Sequence, residues 1–211
     1  MRKTLVAVSV IGALALAAGA APIGKAWAEP KVGAPAPDFQ VVDSTGKMRS
    51  LSEFKGKTVV LEWTNNGCPY VRKHYGPGNM QSLQKKYTAD GVVWLTVASS
   101  PPGEQGFVTA EQANSDTKTR GAAPTAVLLD PGSKVSRAYE ARNTPLMVVV
   151  DAKGTVAYAG AIDDKPSSNP GDIPGAKNFV AQALDEIKAG KPVSVASTRA
   201  YGCYVKYAPQ S

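Results

Sequence analysis

Five short runs rich in Val, Leu and aromatic residues recur along the chain, at 58–63, 92–98, 125–130, 146–151 and 155–158, each bounded by Gly, Pro, Asp or Asn. Runs of this length and composition, bounded by such residues, predict β-strands. The run 58–63 is apolar enough on both sides of its alternation to predict a central strand covered on both faces. Between the runs lie segments with helical patterning at 69–87, interrupted by Gly76-Pro77-Gly78, and at 110–120, 134–141 and 177–189, the last stopped by Gly190. Asp151-Ala152-Lys153-Gly154 is a turn sequence, so it joins the last two strands as an antiparallel hairpin. A βαβ unit, then α, β, α, a hairpin and a final helix predict an α/β fold whose central mixed sheet is flanked by helices. The Pro-, Ser- and Gly-rich stretches 99–106 and 165–175 read as surface loops, and no repeat or heptad pattern is present.

The N-terminus changes the picture of where the chain works. Arg2 and Lys3 precede an apolar run at 5–18, and Ala26-Trp27-Ala28 forms a small-x-small site before Glu29. This predicts a cleaved signal peptide over 1–28 and export to a periplasmic or extracellular compartment. The run is too short and too broken by glycine for a membrane span, so the exported chain is expected to have no membrane partner. Residues 29–211 then form one domain with a C-terminal tail, long enough to bury a core without disulfide staples. The signal carries Arg2, Lys3 and Lys25 and no acid, so its loss reduces the net charge from +7 to +4. The remaining basic residues are scattered among acids and no nucleic-acid motif accompanies them, which argues against a nucleic-acid partner.

Chemistry concentrates on two cysteines. Cys68 follows the strand 58–63 through Thr64-Asn65-Asn66-Gly67 and stands just before Pro69, a residue suited to the first helical turn. A thiol at a helix start meets free N–H groups that favour the thiolate. Cys203 lies in the aromatic tail Tyr201-Gly202-Cys203-Tyr204-Val205-Lys206-Tyr207. It is a resolving thiol if the tail reaches Cys68, and otherwise pairs between chains or stays free. Lys73 and His74 lie too far along the helix from Cys68 for direct contact, so any help from them is indirect. His74 is read either as tuning the thiolate or as a partly exposed helix residue.

The stretch Val32-Gly33-Ala34-Pro35-Ala36-Pro37-Asp38-Phe39, followed by Asp43-Ser44-Thr45-Gly46-Lys47, Leu51-Ser52-Glu53-Phe54 and Lys55-Gly56-Lys57, resembles the N-terminal signature of the redoxin and AhpC/TSA branch of the thioredoxin-like superfamily. The resemblance implies a thioredoxin-like fold and thiol chemistry without a cofactor. It makes Thr144-Pro145 similar to the cis-proline loop that lies against the reactive cysteine and helps bind an extended partner chain. It places Glu62 where thioredoxins carry a buried carboxylate that exchanges a proton during the reaction. The patterns also depart from the family. Val71 occupies the position of the second cysteine of Cys-x-x-Cys, while Asn65 and Leu61 stand where peroxiredoxins carry Thr or Ser and Pro. Pro145 replaces the later peroxiredoxin arginine.

Three function classes remain open. In the first, Cys68 attacks the disulfide of a protein or small molecule and Cys203 resolves the mixed intermediate. In the second, Cys68 reduces a hydroperoxide and the resulting sulfenic acid condenses with Cys203. Either needs a thiol electron donor. The third is non-enzymatic: a scaffold with a structural bridge, or a copper-handling module using Cys68, Cys203 and His74, although no closely spaced cysteine pair is available for a metal.

Overall fold

The computed structural model describes residues 31–210, so the signal peptide read at 1–28 lies outside the described residues. In chain order the elements are β1 (Gln40–Val42), β2 (Met48–Ser50), β3 (Val59–Thr64), α1 (Pro69–Tyr75), α2 (Asn79–Ala89), β4 (Val93–Ala98), α3 (Ala110–Thr119) and β5 (Ala126–Leu129). Then follow α4 (Lys134–Ala138), β6 (Asn143–Thr144), β7 (Leu146–Val150), β8 (Val156–Gly160), α5 (Phe179–Lys188) and β9 (Cys203–Tyr204). Five strands form the central sheet in the order β5-β4-β3-β7-β8. β3 and β4 pair in parallel, as do β4 and β5, while β7 runs antiparallel to β3 and β8 to β7. The expected mixed sheet with helices on both faces is the architecture found.

Strand alternation divides the core. Leu61, Trp63, Leu95, Val97, Val148 and Val150 point to one face, where they pack with Phe39, Val135 and Tyr139. Val60, Trp94, Met147, Val149 and Tyr158 point to the other, against Val71 of α1, Met80, Leu83 and Tyr87 of α2, and Val180 and Leu184 of α5. β3 is thus covered on both sides, as a parallel central strand must be. Its C-terminal end delivers the chain to Cys68.

The segment 69–87 breaks into two helices at Gly76-Pro77-Gly78 as expected, Gly78 taking a positive φ of 83° before α2, which runs on to Ala89. Some local expectations need correction. The segment 134–141 is helical only to Ala138. The stretch 99–106 is not wholly at the surface, since Ser99, Ser100 and Pro101 are buried, and 165–175 contains a 3-10 turn at Pro170–Gly175. The short hairpin β1–β2 and the pair β6–β9 were not anticipated. Among the described residues no helix is long and apolar enough to cross a membrane.

Candidate active site

Cys68 caps the start of α1, with Pro69 in the first helical position. The loop before it is shaped by Asn65, whose side chain accepts from the Gly67 amide at 2.8 Å and donates to the Gln105 carbonyl at 3.1 Å. The Cys68 thiol is fully buried and donates to the Thr144 carbonyl at 3.2 Å. The Thr144–Pro145 peptide is cis.

The same segment receives the tail. Asn143 pairs antiparallel with Tyr204, and Thr144 with Cys203, so β9 lies directly alongside β6. The approach is close because residue 202 is glycine. At its φ of 125° a Cβ would stand 2.0 Å from the Thr144 carbonyl oxygen. The Asn143 side chain donates to the Gly202 carbonyl at 3.0 Å, and the Val205 amide donates to the Arg142 carbonyl at 2.9 Å. Because Cys68 also contacts the Thr144 carbonyl, the pairing brings the partly exposed Cys203 close enough to Cys68 for each thiol to shift the other's acidity. Both thiols are free.

This contact drives the two acidities apart. Burial alone would raise the Cys68 pKa, but hydrogen bonds from the Cys203 thiol, the Val71 and Cys203 amides and the Thr144 side chain bring it below the ordinary thiol value. The Cys203 pKa is pushed up to about 12 by burial, by its hydrogen bond to Cys68 and by the Cys68 charge, with Lys206 opposing. The thiolate is thereby favoured at Cys68 and the protonated thiol at Cys203.

The family follows from the chain's breadth of match. The family model of the AhpC/TSA family matches residues 32–159. The chain belongs to the AhpC/TSA family. Its fold is shared by an uncharacterized conserved protein from Geobacillus kaustophilus, at 24% identity and a TM-score of 0.75, with 86% of this chain and 95% of that one covered. A hypothetical protein from Sinorhizobium meliloti 1021 is similar at 24% identity and a TM-score of 0.72, covering 85% and 96%. A protein from Chlorobium tepidum named a "putative Thiol:disulfide interchange protein DsbE" is similar at 25% identity and a TM-score of 0.50, covering 61% and 84%. No curated protein matches the sequence. This AhpC/TSA chain therefore carries a thioredoxin-like fold.

Not every residue singled out in the sequence meets the sulfurs. Glu62 is buried on β3, and burial raises its pKa. Its carboxylate accepts from Tyr75 Oη and Trp94 Nε1, each at 2.7 Å, from Gln84 Nε2 at 3.1 Å and from Thr96 Oγ1 at 3.4 Å. Those four donors tie α1, α2 and β4 to the centre of the sheet, and none belongs to Cys68. The proton-relay reading of Glu62 thus has no direct contact behind it.

Lys73 and His74 are fully buried, which overturns the partly exposed reading of His74. The tail covers this side of α1. Lys73 Nζ sits 3.2 Å from Asp163, 2.6 Å from the Lys165 carbonyl and 3.2 Å from Tyr201 Oη. His74 Nδ1 accepts from the Asn79 amide at 2.9 Å, leaving Nε2 to face Tyr201 Oη at 3.3 Å. Both ring nitrogens of His74 are thus taken up by Asn79 and Tyr201, and His74 does not join the two cysteines in a metal-holding group. Among the described residues no group of three or more His, Cys, Asp and Glu side chains is placed to hold a metal ion. Sequence reading missed Asp163 altogether, because an acidic pair after a hairpin reads as an ordinary solvated loop.

Burial lowers the His74 pKa to about 4, with Lys73 adding to the effect and Asp163 opposing it. In the unfolded chain the group titrates near 6.5, so unfolding takes up a proton between pH 6.5 and 4. Stability is fully present above pH 6.5 and is lost as pH falls toward 4. Two and a half pH units at about 1.4 kcal/mol each amount to roughly 3–4 kcal/mol. Urea unfolding at pH 7 and pH 4, for the native sequence and His74→Gln, checks this. The variant is expected to lose less stability on acidification.

Proposed function

We propose that this chain is an exported thiol–disulfide oxidoreductase in which Cys68 is the attacking thiolate and Cys203 the resolving thiol. The observation that carries the reading is the pairing of Thr144 with Cys203 beside the Cys68 contact to the Thr144 carbonyl, which brings two thiols from remote segments together with acidities displaced in opposite directions. Cys68 attacks a substrate disulfide, forming a bond to one substrate sulfur and expelling the other as thiolate. The Cys203 thiolate then attacks the Cys68 sulfur, forming the Cys68–Cys203 disulfide and releasing the second substrate thiolate. Two electrons pass to the substrate, and a dithiol electron donor returns the pair to its reduced form. Cys203 thus supplies in trans along the chain what Val71 cannot supply within α1. Asn65, Pro69, Thr144 and Pro145 support the site by shaping the loop, the helix start and the strand beside the sulfurs. The similarity to the Chlorobium tepidum protein and the basic, apolar N-terminal segment support disulfide exchange in an exported protein.

A second reading uses the same pair on a hydroperoxide. Cys68 takes the terminal oxygen as sulfenic acid, an alcohol leaves, and condensation with Cys203 releases water and closes the same disulfide. The complete burial of Cys68 favours it, since a small oxidant needs less displacement of the tail than a protein chain.

The test is to equilibrate the protein in glutathione buffers and count alkylated cysteines by mass. A two-electron transition above about −300 mV marks an exchangeable pair; a bridge still closed below that range marks a structural disulfide and overturns the oxidoreductase reading. Rates of Cys68 thiol loss with hydrogen peroxide and with a small disulfide then separate the two enzymatic readings.

A further inference from the structure

Tyr201 precedes Cys203 by two residues and leaves the tail's surface path to enter a buried polar cluster. Its hydroxyl donates to Asp163 and accepts from Lys73 Nζ at 3.2 Å, with His74 Nε2 at 3.3 Å. Its ring stands edge-on to Tyr70 with centroids 5.9 Å apart. Three of these four partners, Tyr70, Lys73 and His74, belong to α1, the helix that Cys68 caps. Beyond Cys203 the tail is fixed again, through the Val205 amide and through Tyr207 Oη on the Ala141 carbonyl at 2.6 Å. Cys203 thus hangs between two attachments, and the one at Tyr201 refers it to the same helix as its reaction partner.

Stability is a poor account of this cluster. Enclosing Lys73 and Asp163, both almost wholly inaccessible, costs their hydration, and well-packed apolar side chains would hold the tail as firmly. What directional hydrogen bonds add is one defined position. We propose that Tyr201 is a positioning residue for closure of the Cys68–Cys203 disulfide, its hydroxyl docked between Asp163 and Lys73 so that the Cys203 sulfur is held against Cys68. The inference rests on the reading of Cys203 as the resolving thiol. In the closing step the Cys203 thiolate bonds to the Cys68 sulfur and the substrate thiolate leaves. Tyr201 touches neither sulfur and acts only by fixing the chain that carries one of them.

Tyr201→Phe keeps the ring against Tyr70 and removes the hydroxyl. After a single encounter with a small disulfide, closure of Cys68–Cys203 is expected to slow about tenfold, the scale of one lost hydrogen bond to a charged group. In the same variant the Cys68 thiolate, followed by ultraviolet absorbance against pH, is expected to titrate higher because its Cys203 donor is less well placed. In a Cys203→Ala background, which has no side-chain donor at 203 to misplace, Tyr201→Phe is expected to change the first attack by Cys68 far less than it slows closure in the native background. Should Tyr201→Phe not fold, the double variant Lys73→Met/Asp163→Leu, which removes both docking groups of the hydroxyl without leaving either charge unpaired, carries the same comparison. Closure at the native rate with an unshifted Cys68 titration, whatever happens to Tm, would overturn the role of Tyr201. A native chain that never forms the Cys68–Cys203 disulfide would instead overturn the functional reading on which it rests.

Discussion

Cys68→Ser is expected to remove all turnover, while Cys203→Ser leaves the first chemical step intact and halts the second. A serine hydroxyl fits the buried site but is not ionised at neutral pH, and the loss is expected to be on the order of a thousandfold or more. In Cys203→Ser the hydroxyl still donates to the Cys68 sulfur, so Cys68 remains reactive and accumulates as a mixed disulfide with the substrate. Mass spectrometry after a single turnover reads both results: no adduct in the first variant, a stable adduct at Cys68 in the second. Because the Cys68 pKa lies below the ordinary value of 9.0, the alkylation rate of the native protein rises with pH through a midpoint below 9. Equal activity in the native chain and Cys68→Ser would remove Cys68 from the mechanism.

Lys73→Met is expected to destabilise the fold by about 3–5 kcal/mol, because it leaves the Asp163 carboxylate buried without its cation. Tyr201 continues to donate to Asp163 but supplies no charge. For a chain of this size the loss corresponds to a fall in Tm on the order of 10 °C. Adding Asp163→Leu to Lys73→Met is expected to recover part of it, since removing both charges abolishes the desolvation cost that removing one exposes. Thermal unfolding of the two single variants and the pair measures the coupling. Strictly additive losses would show that Lys73 and Asp163 do not act as a unit.

The central sheet was legible because its strands carry their signal locally. The runs read at 58–63, 92–98 and 146–151 match β3, β4 and β7 within a residue at each end, since Val- and Leu-rich segments bounded by turn residues have few alternatives. Cys68, Pro69 and the Thr144-Pro145 segment were visible for the same reason. What escaped was long-range. β6 and β9 are two residues each and take their geometry from one another rather than from any periodicity of their own. The tail was read as aromatic, but nothing in its sequence announces that Tyr201 faces Lys73 and Asp163. His74 reads as an ordinary polar position on a helix, and its burial depends on a tail joined to the chain far downstream.

The opposed acidities of the two sulfurs have a consequence for timing. While Cys68 is free, burial, the hydrogen bond to Cys68 and the Cys68 charge together push the Cys203 pKa up to about 12, which favours its protonated, less reactive form. Once Cys68 is bonded to a substrate sulfur it carries no charge. Two of the three influences that raise the Cys203 pKa then vanish, and Lys206 continues to favour the thiolate. On the proposed oxidoreductase reading, the second nucleophile would be armed by the consumption of the first, an interlock between neighbouring side chains.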